Sequence, residues 1–254
     1  YVCAEDVGCS PADIDTILQK TKYACGVHNL RGSGNPAAFT AWGTLSGIQS
    51  ALQELDGSSS LKGKTIAIQG LGSVGTRLLD HLFWAGAKLF ISDIDPKLVE
   101  YFAHKYSATP LEPDHILSVE CDVLSPNALG GILNKETISK LKCRAIAGAA
   151  NNQLLDPEDA ERLHKRKILY APDFVINAGG LINVIHELSE EGYNAEKARN
   201  MTTGIYDQLL AIYEIAEQNN MSTNQAAISL ADHRIENGIG KRTKPLCFRF
   251  EASV

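Results

Sequence analysis

Thr65-Ile-Ala-Ile-Gln-Gly70-Leu-Gly72-Ser-Val-Gly75-Thr-Arg-Leu-Leu-Asp-His-Leu-Phe83 is the stretch on which the fold turns. Thr65 to Gln69 is a short apolar run suited to a strand buried on both faces. Glycines follow at once. Gly70 permits a tight turn, Gly72 lets the backbone approach a pyrophosphate, and Gly75 lets the next helix pack against the strand. Ser73 and Val74 lie between them on the same turn. From Thr76 to Phe83 the leucines and Phe83 recur at helical spacing, Ala85-Gly86-Ala87 ends that helix, and Lys88 to Ser92 reads as the next strand. Asp93 then stands at the strand's carboxyl end, 23 residues after Gly70. A carboxylate there can accept hydrogen bonds from both hydroxyls of an adenosine ribose and repels a 2′-phosphate. The pattern points to a dinucleotide, NAD rather than NADP.

The remainder is consistent with an ordinary folded chain. The 254 residues suffice for one large domain or two modest ones. Hydrophobic residues make up 44% and charged residues 21%, and the net charge of -6 leaves no basic footprint for nucleic acid. No apolar run is long enough to cross a bilayer, and no secretory signal is expected. The six cysteines (Cys3, Cys9, Cys25, Cys121, Cys143 and Cys247) form no Cys-x-x-Cys pair and have no histidines at zinc spacing, so no metal site is expected. Scattered thiols suit a reducing compartment, so they are expected to be core residues of a cytoplasmic protein.

In chain order, Ser10-Pro11 reads as an N-cap followed by proline at the first helical position, opening a helix that ends near Lys20 to Lys22. Residues 26–36 are a loop, and Ala37 to Leu55 is a long helix with Phe39, Trp42, Leu45, Ile48, Leu52 and Leu55 along one stripe. After Asp93, helices are expected over Pro96–Tyr106, His115–Ser118, Thr137–Leu141 and Pro157–Arg166, with strands at Cys121–Leu124, Ala145–Ala147 and Ile168–Ala171. Residues 108–113 read as extended connections. Strands alternating with helices imply an α/β, doubly wound parallel sheet. From Leu181 the chain reads as helices over 181–188, 194–218 and 222–237, with a cap region at Ser222, and then as a partly ordered basic tail from Lys241 that includes Arg249. The expected division is 1–32, the remnant of a preceding N-terminal domain with a linking helix; 33–185, the dinucleotide-binding domain; and 186–254, a helical region.

Three further stretches could carry chemistry. Asp6, in Ala4-Glu5-Asp6-Val7-Gly8, is a carboxylate after an expected strand and beside a glycine, suited to proton transfer or merely to a turn. Ala147-Gly-Ala149-Ala-Asn151-Asn follows a strand at the sheet's carboxyl edge, where ligands sit. Its small residues admit a flat ring and its amides both donate and accept; a small-residue turn would look the same. Pro172-Asp-Phe-Val-Ile-Asn177-Ala-Gly179-Gly180 reads as strand, polar residue, paired glycines and helix. A helix N-terminus there can face a carboxylate, or the stretch can be a simple connection.

Taken together, Ala4–Gly8, Gly70–Gly75, Pro126-Asn-Ala-Leu-Gly130, Gly148–Asn151 and Asp173–Gly180 resemble, in order and over essentially the whole chain, the glutamate/leucine/phenylalanine/valine dehydrogenase superfamily. The branch resembles the leucine and phenylalanine dehydrogenases, and residues 147–154 and 170–184 look most like cyanobacterial tryptophan dehydrogenases. The resemblance implies NAD-dependent oxidative deamination of an L-amino acid to a 2-oxo acid and ammonia, by an enzyme that is usually multimeric. Asp6 falls on the family's catalytic aspartate, and Thr40 falls near the residue that holds the nicotinamide carboxamide. Gly70, Gly72, Ser73, Val74, Gly75 and Asp93 fall on the pyrophosphate and ribose contacts. Ala149 and Asn151 fall on the nicotinamide side, with Asn151 also touching substrate. Asn177 resembles a second cleft asparagine, and Ala4, Leu181 and Val184 resemble positions lining the side-chain pocket. These last three are apolar, so an apolar or aromatic amino acid fits better than glutamate.

The sequence departs from the family in one respect. The family's first domain carries a glycine-rich turn with a catalytic lysine, and nothing in residues 1–254 matches it. The sequence also begins at Tyr1, inside a motif. The chain is therefore expected to lack most of that domain and to be inactive alone. A non-catalytic NAD-binding module and a methyltransferase on a similar sheet are the alternatives.

Overall fold

A computed structural model describes residues 1–6, 8–27 and 32–248. Val7, residues 28–31 of the expected loop, and tail residues 249–254 lie outside the described residues. Six strands, β1 (Thr65–Gln69), β2 (Lys88–Ser92), β3 (Thr109–Pro110), β4 (Glu120–Pro126), β5 (Lys142–Ile146) and β6 (Leu169–Tyr170), form one sheet in the order β3-β2-β1-β4-β5-β6. Every neighbouring pair is parallel. The helices are α1 (Pro11–Leu18), α2 (Ala37–Asp56), α3 (Ser73–Trp84), α4 (Pro96–Tyr106), α5 (Lys135–Lys140), α6 (Glu158–Lys165), α7 (Asp173–Ile176), α8 (Gly179–Ile185), α9 (Ala195–Thr203), α10 (Ile205–Asn219) and α11 (Thr223–Glu236). This is the doubly wound parallel sheet expected from the sequence. Strand order reverses between β1 and β4, so their carboxyl ends open a crevice there.

The strands are apolar because both faces of the sheet are covered. Ile66 and Ile68 of β1, Val123 of β4 and Ala145 of β5 enter a core shared with α2, α3 and α10. Ala67, Leu124 and Ile146 point the other way, into a core closed by Leu163 of α6. The α2 stripe does what its spacing predicted: Leu45, Ile48 and Leu52 are buried against Leu78 and Leu82 of α3 and Leu209 and Ile212 of α10. The long helix that precedes the sheet in sequence thus welds the C-terminal helices to it.

Several expectations are corrected. Thr109–Pro110 is not a free connection but an edge strand on β2, with Phe90 opposite Thr109; a proline is tolerated there because an edge needs fewer donors. Residues 173–176 are a helical turn and not a strand, because Pro172 O accepts from the Val175 and Ile176 N–H groups and Asp173 Oδ1 accepts from Phe174 N–H. The helix expected over 194–218 breaks at Gly204 into α9 and α10. α1 stops at Leu18, one turn early, although Ser10 is the expected N-cap and forms a capping box with Asp13. Ser222 occupies the N-cap of α11 with its hydroxyl buried and unpaired among the described residues. Cys25, Cys121 and Cys143 are buried, but Cys3, Cys9 and Cys247 are only partly so, and all six are free thiols. Burial raises the Cys143 thiol to about 12, which makes it chemically inert. Among the described residues no helix is long and apolar enough to cross a membrane.

At the sheet's other end, Asp56 closes α2 between Lys64 Nζ and Arg144 Nη2, each at 2.6 Å, and Arg144 also reaches Asp122 at 3.1 Å. The two cations hold the Asp56 carboxyl down to about 2, Arg144 contributing most. An unfolded aspartate titrates near ~3.9. The pairing therefore stabilises the fold at neutral pH and is lost as pH falls from about 4 through 2. Asp56→Asn should lower the melting temperature by roughly 2 °C at pH 7, with the difference from wild type vanishing near pH 2. Melting curves across that range check this, and a difference independent of pH would contradict it.

Candidate functional site

The site is built on the crevice between β1 and β4. Gly70 leaves β1 with φ +93°, a left-handed conformation that costs a glycine nothing. Its N–H donates to Ser92 O of β2 at 2.8 Å. A Cβ on Gly75 would lie 2.0 Å from Gly70 O, so α3 starts in direct contact with the turn. Gly72 is different: a Cβ there would meet nothing within 4 Å. No protein atom requires glycine at 72, and the space above it is open. Gly72 is the N-cap of α3 and no side chain caps it. The first amides of α3, from Ser73 through Gly75, therefore face that space with the helix dipole behind them. A bare, electropositive helix start beneath a vacancy that a side chain would fill suits a pyrophosphate.

Asp93 is oriented toward the same turn. Its Oδ2 accepts from Leu71 N–H at 2.6 Å and its Oδ1 from Asp95 N–H at 2.9 Å. It is partly exposed, so its remaining lone pairs are available to hydroxyl groups.

Across the crevice, the loops after β4 and β5 are stitched together. Asn127 N–H donates to Gln69 O of β1 at 2.7 Å, and Asn127 Oδ1 accepts from Ala149 N–H at 3.1 Å. A Cβ on Gly148 would lie 2.2 Å from Pro126 O. Asn151 is exposed, and its Oδ1 accepts from Asn177 Nδ2 at 2.5 Å. The two asparagines expected at the site are thus brought together from separate elements, the turn after β5 and the link between α7 and α8. α8 then packs on the first turn of α2. A Cβ on Gly180 would lie 2.6 Å from Thr40 Oγ1, which itself donates to Pro36 O.

The N-terminal segment is held by an isolated bridge, Cys3 opposite Ala24, rather than by the strand expected before Asp6. Asp6 is exposed in the loop after it. Neighbouring Glu5 accepts from Asn35 Nδ2 at 2.7 Å, while its Oε2 is buried without a partner among the described residues. Burial raises the Glu5 carboxyl, and the charge of Arg77 on α3 partly opposes this. Of the expected pocket wall, Val184 is buried beside Cys25, but Ala4 and Leu181 are exposed. A groove of about 380 Å³ does exist, but on another face of α8, lined by Ala178, Ile182, Phe174 and Met201. Among the described residues, no three His, Cys, Asp or Glu side chains converge where they could hold a metal ion.

Residue-type reasoning assigned no role to Asn127, although an amide directly after a strand at the switch point was a usable signal. It also passed over Glu187, whose partners are all distant in sequence.

Fold and crevice define a Rossmann-like α/β protein. Residues 91–239 match the glutamate/leucine/phenylalanine/valine dehydrogenase family, and the chain belongs to it. It is 45% identical over 237 residues to a leucine dehydrogenase from Thermoactinomyces intermedius, covering 93% of this chain and 64% of that protein. It is also 45% identical over 247 residues to an L-tryptophan dehydrogenase from Nostoc punctiforme, covering 97% and 69% respectively. The crystal structure of L-tryptophan dehydrogenase from Nostoc punctiforme superposes with a TM-score of 0.83 over 93% of this chain and 68% of that one. The chain thus spans about two thirds of the length of these relatives.

Gly148→Ala should force the two loops apart and destabilise the fold by about 1–3 kcal/mol. Gly72→Ala, facing open space, should leave the melting temperature within about a degree of wild type. Thermal melts of both variants check this, and equal effects would contradict the assigned geometry.

Proposed function

We propose that the chain forms the NAD-binding part, and one wall of the substrate cleft, of an NAD-dependent dehydrogenase that deaminates an apolar or aromatic L-amino acid to a 2-oxo acid and ammonia. The observation that carries this reading is the placement of Asp93, 2.6 Å from Leu71 N–H, above an uncapped helix start with open space at Gly72. The amides of Ser73, Val74 and Gly75 would hold the pyrophosphate and Asp93 the adenosine ribose. Thr40, Ala149 and Asn151 would flank the nicotinamide. When bound, NAD supplies the hydride acceptor. Asn151 and Asn177 orient the substrate through their paired amides, Leu181, Val184 and Ala4 contact its side chain, and Asp6 exchanges a proton with its amine. Family membership supports an amino acid dehydrogenase, and equal identity to leucine- and tryptophan-specific relatives leaves the side chain at the level of apolar or aromatic.

The reading divides the chain into a segment carrying Asp6 (1–32), the NAD domain (33–185) and a helical region (186–254), in a cytoplasmic homo-oligomer. Since the lysine of the family's first domain has no counterpart here, this chain alone binds NAD without turnover. A non-catalytic NAD-binding module would behave likewise, and activity of the full-length protein separates the two.

Titration of the chain with NAD, followed by fluorescence, tests the reading. Gly72→Ala should weaken binding at least tenfold without loss of fold. Asp93→Asn keeps an acceptor for Leu71 N–H but removes the charge, so it should weaken NAD about tenfold and narrow the preference for NAD over NADP. Unchanged affinity in both variants would overturn the assignment. Addition of leucine, phenylalanine, valine or tryptophan to the bare chain should not reduce NAD.

A further inference from the structure

Glu187 lies in the 3-10 turn that continues α8 (His186–Leu188). Its carboxylate collects three backbone donors from a segment more than 150 residues away. Gly26 N–H donates to Oε2 at 2.9 Å, Val27 N–H donates to Oε1 at 3.2 Å, and Ser33 N–H also donates to Oε1. One turn earlier, buried Asn183 donates through Nδ2 to Ser33 O at 3.2 Å and accepts from Tyr193 O–H at 2.8 Å. Glu187 thus holds Gly26, Val27 and Ser33 together, and Asn183 on α8 adds a second hold on Ser33.

The gripped segment leads to two parts of the site. Ala24 and Cys25, directly before Gly26, pair with Cys3: Cys3 N–H donates to Tyr23 O and Cys25 N–H donates to Cys3 O, each at 2.9 Å. Three residues beyond Cys3 is Asp6. Two residues after Ser33 is Asn35, whose Nδ2 holds Glu5 at 2.7 Å and whose Oδ1 accepts from Ala37 N–H at 2.8 Å, at the start of the helix that carries Thr40. On the other side, Leu181 and Val184 on α8 precede Glu187, and Asn177 lies in the turn just before that helix. The Cys25 thiol beside the carboxylate is raised to about 11, by burial first and by the negative charge of Glu187 second.

We infer that Glu187 is a positioning residue: its carboxylate fixes the Asp6-bearing segment and the Thr40-bearing helix against the end of α8, the helix that directly follows Asn177. It touches neither cofactor nor substrate. Three N–H donors converging on one carboxylate require an acceptor-only group. A glutamine in its place loses one acceptor oxygen and the charge: with its oxygen at the Oε1 position, its NH₂ confronts the buried Gly26 N–H, which is left unpaired and pushed away. Misplacement of site groups by about 1 Å can cost on the order of 100-fold in rate.

The inference rests on the proposed dehydrogenase reading, so the test has two independent readouts on the full-length protein. Amide hydrogen exchange should show Gly26, Val27 and Ser33 protected in wild type, with at least one of the three tenfold faster in Glu187→Gln, Gly26 foremost, and exchange in β1 and β4 unchanged. Turnover of an apolar L-amino acid should fall ten- to a hundredfold in kcat/KM for Glu187→Gln, while the Kd for NAD stays within twofold. Glu187→Asp, which keeps the acceptor-only carboxylate on a shorter arm, should recover part of the loss. Unaltered exchange of the three amides overturns the clamp whatever the activity. Faster exchange with unchanged kcat/KM overturns its positioning role. If wild type turns over no amino acid while the amides respond as expected, the dehydrogenase reading fails and the clamp stands as architecture alone.

Discussion

One hydrogen bond ties the crevice between β1 and β4 together: Leu71 N–H to Asp93 Oδ2 at 2.6 Å. It joins the turn after β1 to the end of β2 and sets a carboxylate beside an uncapped helix start. Neither side would be arranged this way for stability alone. A carboxylate beside Leu71 is held there by one amide and one further N–H from Asp95, with lone pairs to spare. The first amides of α3 have no side-chain cap. Both halves are complementary to a ligand carrying an anion and, some distance away, vicinal hydroxyls.

Around that bond the molecule is a set of close backbone approaches. Gly75 on Gly70, Gly148 on Pro126 and Gly180 on Thr40 each bring two elements nearer than any side chain would allow. The consequence is a crevice whose two banks, the turn after β1 and the loops after β4 and β5, are fixed to one another through Asn127. The Asn151–Asn177 pair then extends the second bank toward α8, and Glu187 extends it further to the N-terminal segment. The glycine turn after β1 and the N-terminal segment are thus linked through short polar contacts.

Much of this was legible in the sequence because local rules and tertiary demands agree there. Thr65–Gln69, Lys88–Ser92 and Pro96–Tyr106 have the boundaries their patterns predicted, since strands buried on both faces and a proline-started helix leave few alternatives. The failures occur where tertiary context decides. Thr109–Pro110 becomes a strand only because β2 offers an edge, and 173–176 becomes a helical turn because the buried Asp173 serves Gln153 N–H as well as its own backbone. Nothing within a few residues of Glu187 hints at donors from positions 26, 27 and 33.

The most direct measurement of the central claim is a crystal structure of this chain grown with NAD. The account predicts the adenosine ribose within hydrogen-bond distance of Asp93 and the pyrophosphate lying over Gly72 against the Ser73–Gly75 amides, with the Leu71–Asp93 bond intact. Ordered NAD bound elsewhere, or a glycine turn left empty at saturating NAD, would contradict it.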